Sequence, residues 1–363
     1  MSSLSRTASE SVIGDLVKAG WVVDEGPVAS RTATPGRPAS VFRMAPDLGF
    51  LAGVDIGAHH VSACVADLAG DLLATVRLDA EESADAEERL ELALTALRDA
   101  ADQSEVSLAD LWTVTIASPG VIDDGTVVHF GGEGMPGWIG LDIAGWFSAV
   151  CDAHVLVEGD SALGAVGELA HGAGKGVSDM VYILSGIRTG AAVVVGGELH
   201  RGNRGAAGLV GELPELRWRE LELESYGRDA YAGARPDRRE IFRRARDGDA
   251  RARAAVNDFS DALGLGLAAM VLAINPEIVV LGGPNARDGD LFIERLRADI
   301  EARCPLPPEL RLSPIGSDAV LAGCVRMGEE AIRGALRDSV ERRPSFPAPD
   351  RDEVVWVIRD ASR

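Results

Sequence analysis

Between Tyr182 and Leu213 the chain reads YILSGIRTGAAVVVGGELHRGNRGAAGLVGEL: an apolar strand, a glycine turn, a second apolar strand and a glycine-rich run. Glycine is needed where a backbone turns with positive φ or comes close to a ligand. Its density here, at Gly186, Gly190, Gly196, Gly197, Gly202, Gly205, Gly208 and Gly211, predicts a site built largely from main chain. Tight hairpins on an exposed sheet edge would give the same density. A partner pattern elsewhere in the chain favours the site.

That partner begins at Phe50. Phe50 to Gly57 (FLAGVDIG) reads as a strand with Asp55 near its end, and His60 to Asp67 as a second. Ala69-Gly70-Asp71 is a turn and Leu72 to Leu78 a third strand. Two copies of one meander predict two related α/β lobes facing a cleft. Asp85 to Gln103 carries Leu90, Leu94 and Leu97 at helical spacing, as a crossover helix would. Leu111 to Ala117, closed by Ser118-Pro119-Gly120, and His154 to Glu158, ending in Gly159-Asp160-Ser161, are further strands, and Ala162 to His171 is a helix. Asp160 then has two readings, an N-cap for that helix or a general base at a strand end.

A chain of 363 residues is long for one core, so two or three domains are expected. No apolar run approaches the ~20 residues of a membrane span, and the start MSSLSRTASES is not a signal peptide. Cys64, Cys151, Cys304 and Cys324 stand far apart without a CxxC pair, as reduced thiols of a cytoplasmic protein would. No cofactor, metal or membrane partner is expected. A net charge of −21 argues against broad contact with nucleic acid. DNA contact would need a small, locally basic piece.

Residues 1–46 contain one. From Gly26 to Ala45 there are three arginines, Arg31, Arg37 and Arg43, and no acid. Thr7-Ala8-Ser9-Glu10 fits a capping box with Thr7 as the cap. Val12, Ile13, Leu16 and Val17 then share a helical face, and Gly20 ends it. Trp21 to Glu25 and Ser40 to Met44 flank a Pro/Gly/Arg loop as a hairpin. A helix followed by a basic-tipped hairpin is the second half of a winged helix-turn-helix. On that reading Ser5, Arg6, Thr7 and Ser9 on the helix and Arg31 and Arg37 on the wing contact DNA. An amphipathic helix and a solvated loop explain the same residues. Only seven residues precede Ala8, and a helix of about 13 residues is marginal alone. Two expectations follow: helices encoded upstream of Met1, or loss of DNA binding.

These residues together resemble the ROK family of repressors, open reading frames and sugar kinases. The resemblance runs to about Arg337 and implies a two-lobed actin-like (ribonuclease H-like) α/β fold behind an incomplete winged helix-turn-helix. Val54-Asp55-Ile56-Gly57 resembles the family's first phosphate motif and Ser118-Pro119-Gly120-Val121-Ile122-Asp123 its G-x-P-G-x-[VI]-D. Glu158-Gly159-Asp160-Ser161-Ala162 is similar to E-N-D-A-N, and Arg201 to Glu212 to R-G-x-x-G-x-A-G-E-I-G-H. Asn275 to Gly283 is similar to the adenosine-side strand and turn, and Ser40 to Met44, after Gly36-Arg37-Pro38, to the wing of the repressor branch. The implied lobes are residues 47–160 with a returning helix at 318–337, and residues 161–317; residues 338–363 form a linker and tail.

The departures from the family pattern carry the functional reading. His59 and His60 replace the Thr and Lys of D-x-G-x-T-K. Gly186-Ile187-Arg188-Thr189-Gly190 replaces G-T-G-I-G, losing a hydroxyl at Ile187 and placing a long cation where main-chain N–H groups would cradle phosphate. Arg188 either fills the phosphate site, the preferred reading, or binds an anion there. The Asn before P-G-W is Gly134, the Asn of N-D is Gly159, and Leu209 and Glu212 replace the Glu and His of E-I-G-H. The cysteine-rich zinc loop is missing. By the resemblance, Asp160 is the kinase base; with both phosphate loops altered it contributes little to phosphoryl transfer.

The expected function is a transcriptional regulator, not an enzyme, with a sugar-kinase-like body that senses a small effector, a sugar or sugar phosphate. Asp160, Ser161, Glu212 and Glu224 are the candidate effector residues, and Asp55, Gly57, Gly186, Arg188, Gly190, Gly282 and Gly283 mark a degenerate nucleotide-phosphate site. Operator DNA and a second copy of the chain are the expected partners. The alternatives are a carbohydrate kinase of altered specificity and a scaffold that binds no DNA. Arg238 to Asp258 reads as a solvated helical face, Leu263 to Ile274 as an apolar helix, and Glu353 to Ile358 as a strand-like tail.

Overall fold

The computed structural model describes residues 6–27, 40–45, 47–81, 83–131, 135–216, 218, 238–342, 349–352, 354, 355 and 358. Helix α1 (Arg6–Ala19) leads into strands β1 (Val22–Pro27) and β2 (Ser40–Met44), antiparallel with Val22 opposite Met44. The helix starts at Arg6, so Thr7 lies inside its first turn and not at the cap position that the sequence suggests. Ser5, Arg31 and Arg37 fall outside the described residues, as do Gly134 and Glu224.

The first lobe follows. Its elements are β3 (Phe50–Ile56), β4 (His60–Asp67), β5 (Leu72–Asp79), α2 (Ala86–Gln103), β6 (Leu111–Ser118), the hairpin β7 (Val121–Asp123) and β8 (Thr126–His129), α3 (Ile143–Val150) and β9 (His154–Gly159). The sheet order is β5-β4-β3-β6-β9, antiparallel through the meander and parallel from β3 to β9. β3 and β6 are apolar runs buried on both faces, as parallel strands between helices must be. A capping box starts α2, with Asp85 accepting from the Glu88 N–H and Glu88 from the Asp85 N–H.

The second lobe repeats the plan. Helix α4 (Asp160–His171) precedes β10 (Met180–Ser185), β11 (Thr189–Val195) and β12 (Glu198–Leu199). Then come α5 (Arg238–Arg246), α6 (Ala250–Ile274), β13 (Ile278–Gly282), α7 (Ile293–Arg303) and β14 (Glu309–Leu312). The order β12-β11-β10-β13-β14 is that of the first sheet, strand for strand. The two glycine-bearing meanders therefore do occupy equivalent places in two lobes.

Helix α8 (Ala319–Arg342) returns to pack on the first sheet and crosses α4. At that crossing a Cβ on Gly167 would overlap the Ala319 carbonyl, and one on Gly323 the Leu163 carbonyl. Only glycine lets these two backbones touch.

Three stretches differ from the sequence expectation. Asp160 is the first residue of α4 and makes no cap; Gly159 is the N-cap, without a side-chain bond. The run 238–258 is not merely a solvated face, because Ile241, Phe242, Ala255 and Val256 enter the second lobe's core. Leu263 to Ile274 is the second half of α6, which by length and composition alone could cross a membrane but is mostly buried in that core. The described residues between Arg351 and Ile358 are helical, not a strand. Val354 and Ile358, one helical turn apart, both pack into a core with Trp21, Trp112 and Ile332. The apolar spacing there served a helix as well as a strand, and tertiary packing decided.

That core joins the N-terminal unit to the body. Trp21 meets Trp112 edge to face, ring centroids 5.9 Å apart, and the Arg351 guanidinium donates to the Leu111 carbonyl.

Candidate functional site

A cleft of about 790 Å³ opens between the lobes. One wall is Pro119 to Ile122, His129 to Gly131 and Glu158; the other is residues 187–192 with Leu199 to Arg201, Gly205, Ala207 to Leu209, Gly211 and Glu212. Asp160 and Ser161, at the start of α4, form the floor. The structure thus brings Asp160, Ser161, Arg188, Gly190 and Glu212 around one cavity. Asp55 and Gly57 sit behind it at the end of β3, and Gly186, Gly282 and Gly283 beneath the turn, outside the lining. Ser9 belongs to the N-terminal unit.

The turns at Gly57 and Gly186 are internally closed. The Gly57 N–H donates to the His60 carbonyl at 2.9 Å, and the Gly186 N–H to the Arg188 carbonyl at 3.0 Å. Arg89, fully buried on α2, donates to the carbonyls of Gly57 and Ala58 and ties the first turn down. Asn285 does the same below the second, donating to the Gly186 carbonyl and the Ser185 hydroxyl. The Arg188 side chain leaves its turn into the cleft and lies over the Phe130 ring, 4.7 Å from the centroid.

The acids have shifted. Burial pushes Asp55 up from 3.8 to about 7, with the charge of Asp160 adding to the rise and Arg77 opposing it. Burial also raises Asp160, to about 6, while the Ser161 N–H and the Arg188 charge hold it down. The Ser161 N–H reaches Asp160 Oδ1 at 2.6 Å. His60 Nε2 is 4.0 Å from Asp55 Oδ2, but burial and Arg77 push His60 down to about 4, so it is neutral at pH 7.

Polar pairs bridge the walls. Arg201 Nε lies 2.6 Å from Glu158 Oε2, His129 Nε2 3.0 Å from Glu212 Oε1, and Arg204 Nε 2.6 Å from Asp123 Oδ2. His129, Phe130, Arg204 and Arg89 are the residues that sequence reading passed over. Their partners are remote in the chain; His129, Phe130 and Arg89 lie in no quoted motif, and Arg204 stands at an unspecified position of one.

A sequence model of the ROK family matches residues 51–215 and 221–309. The chain belongs to the ROK family. A xylose repressor from Caldicellulosiruptor bescii is 24% identical, over 89% of this chain and 88% of the repressor. A glucokinase from Halalkalibacterium halodurans is 25% identical, over 75% of this chain and 92% of the enzyme. Among solved structures, a ROK family transcriptional regulator, a homologue of the E. coli MLC protein, superposes with TM-score 0.67 at 16% identity. That match covers 98% of this chain and 92% of the regulator, and establishes the actin-like ROK fold for this chain. Both branches of the family, repressors and sugar kinases, are therefore similar to it.

Proposed function

We propose that this chain is a ROK transcriptional regulator that contacts DNA through the N-terminal helix and hairpin and senses a small polar effector, sugar-like in class, in the interlobe cleft. The observation that carries the proposal is the N-terminal unit itself, seated on the body through Trp21 and Trp112. The repressor and regulator likenesses support it, extending over 89% and 98% of this chain. In the body, Asp160 and Glu212 accept hydrogen bonds from effector hydroxyls, and Arg201 and His129 supply donors opposite them. Effector binding changes the arrangement of the lobes and, in a homodimer, the spacing of two wings on operator DNA.

Phosphoryl transfer depends on donors aimed at the phosphate charge. The N–H groups of Gly57 and Gly186 are bound within their own turns and the Arg188 guanidinium lies away over Phe130, so the kinase chemistry is lost on this reading. The glucokinase likeness and the placement of Asp160 favour the opposing reading, a working kinase. Incubation with ATP and a panel of aldoses decides between them. No ATP-dependent sugar phosphorylation is expected, whereas phosphorylation that disappears in Asp160→Ala overturns the loss of activity.

A further inference from the structure

We infer that the walls of the cleft carry a built-in latch, in which Arg204–Asp123, Arg201–Glu158, His129–Glu212 and the stack of Arg188 on Phe130 hold the two lobes together. Each contact has one member on each lobe. Ile122, Val127 and Phe130 root the β7–β8 hairpin in the core of the first lobe. Val210 and Trp218 root the 201–218 segment in the core of the second. Between these roots the backbones already meet, since a Cβ on Gly205 would overlap the Ile122 carbonyl. Arg204 reaches Asp123 from a left-handed backbone, with φ of 55°, a conformation unfavourable for a side chain other than glycine unless its surroundings hold it.

The latch uses groups that a ligand would also engage. Glu158, Arg201, His129, Glu212, Arg188 and Phe130 all line the cavity, and separating the lobes breaks all four contacts at once. Two of the contacts, Arg201–Glu158 and Arg204–Asp123, are charge pairs whose arginine is at least half-exposed. Salt screens such pairs, so ionic strength acts on lobe opening directly. The latch goes beyond the proposed function: it stands or falls on lobe separation, with no DNA or effector involved.

The test is a pulsed electron-spin distance measurement on the whole chain. Spin labels go at Thr95→Cys on α2 and Glu301→Cys on α7, both exposed; Cys64, Cys151, Cys304 and Cys324 are buried. Arg204 and Asp123 lie outside the cavity lining, so they can be changed without removing a ligand contact. At 50 mM NaCl a single short distance is expected, with a longer population gained in Arg204→Ala and in the unsubstituted chain at 1 M NaCl. The swap Arg204→Asp with Asp123→Arg should restore the short distance, which a misfolded variant would not do. One distance distribution in all four samples overturns the latch, as does a long population in Arg204→Ala that the swap leaves in place.

Discussion

Arg188 lays its guanidinium on Phe130 across the interlobe cleft, and its charge reaches Asp160 on the floor between them. A residue from the second lobe thus modulates the proton affinity of an acid on the cleft floor. Removing the cation removes a charge that holds the Asp160 proton affinity down. In Arg188→Ala the Asp160 carboxyl is expected to titrate above its present value of about 6. Carbon-detected NMR of the side-chain carboxyl against pH reads this. An unchanged midpoint would mean that Arg188 and Asp160 are uncoupled.

Asp55 makes the sharpest pH prediction. Its folded value of about 7 lies above the ordinary 3.8. The folded state therefore holds a proton that the unfolded chain releases, and the stability this gives is present below pH 4 and lost as pH rises through 7. The scale is on the order of 1.4 kcal/mol for each pH unit between the two values. Asp55→Asn lacks this titration. Urea midpoints should show the variant gaining on the native chain between pH 4 and pH 8; a constant difference would contradict the shift.

The crossing of α4 and α8 leaves no room for a methyl group. Gly167→Ala and Gly323→Ala should each cost about 1–3 kcal/mol, the usual cost of overpacking. Gly334, on the same α8 but with open space at its Cβ position, is the control. Equal denaturant midpoints for Gly323→Ala and Gly334→Ala would refute the close contact.

Trp21 and Trp112 carry the join between the N-terminal unit and the body. Trp21→Ala removes a fully buried ring from a small core, a loss of about 3–5 kcal/mol. Limited proteolysis should then cut between Ala45 and Gly49 while the body melts as before. A loss of body stability instead would place Trp21 in the main fold.

Much of this architecture was legible in the chain. The meander at Phe50 and its copy at Tyr182 carried the two-lobed plan, because glycine turns between β-branched strands leave few alternatives. The residues that gather at the cleft, Asp160, Ser161 and Arg188, were readable because each sits just past a strand end or in a turn between strands. The opposing wall was not. His129, Phe130 and Arg204 acquire meaning only when distant segments meet, and no periodicity encodes that meeting. The C-terminal tail misled for a different reason: Val354, Val355 and Ile358 suit a strand by residue type, while the core around Trp112 accepts Val354 and Ile358 from one helical face.

The central claim is that this ROK chain reads DNA sequence. The direct measurement is selection of random duplexes by the whole chain at 50 mM and 150 mM salt, followed by anisotropy titration of the enriched sequence against a scrambled control. The account predicts a two-half-site sequence bound at least tenfold more tightly than the control, with affinity falling as salt rises. No enriched sequence at either salt, or equal binding to the scrambled duplex, would contradict it.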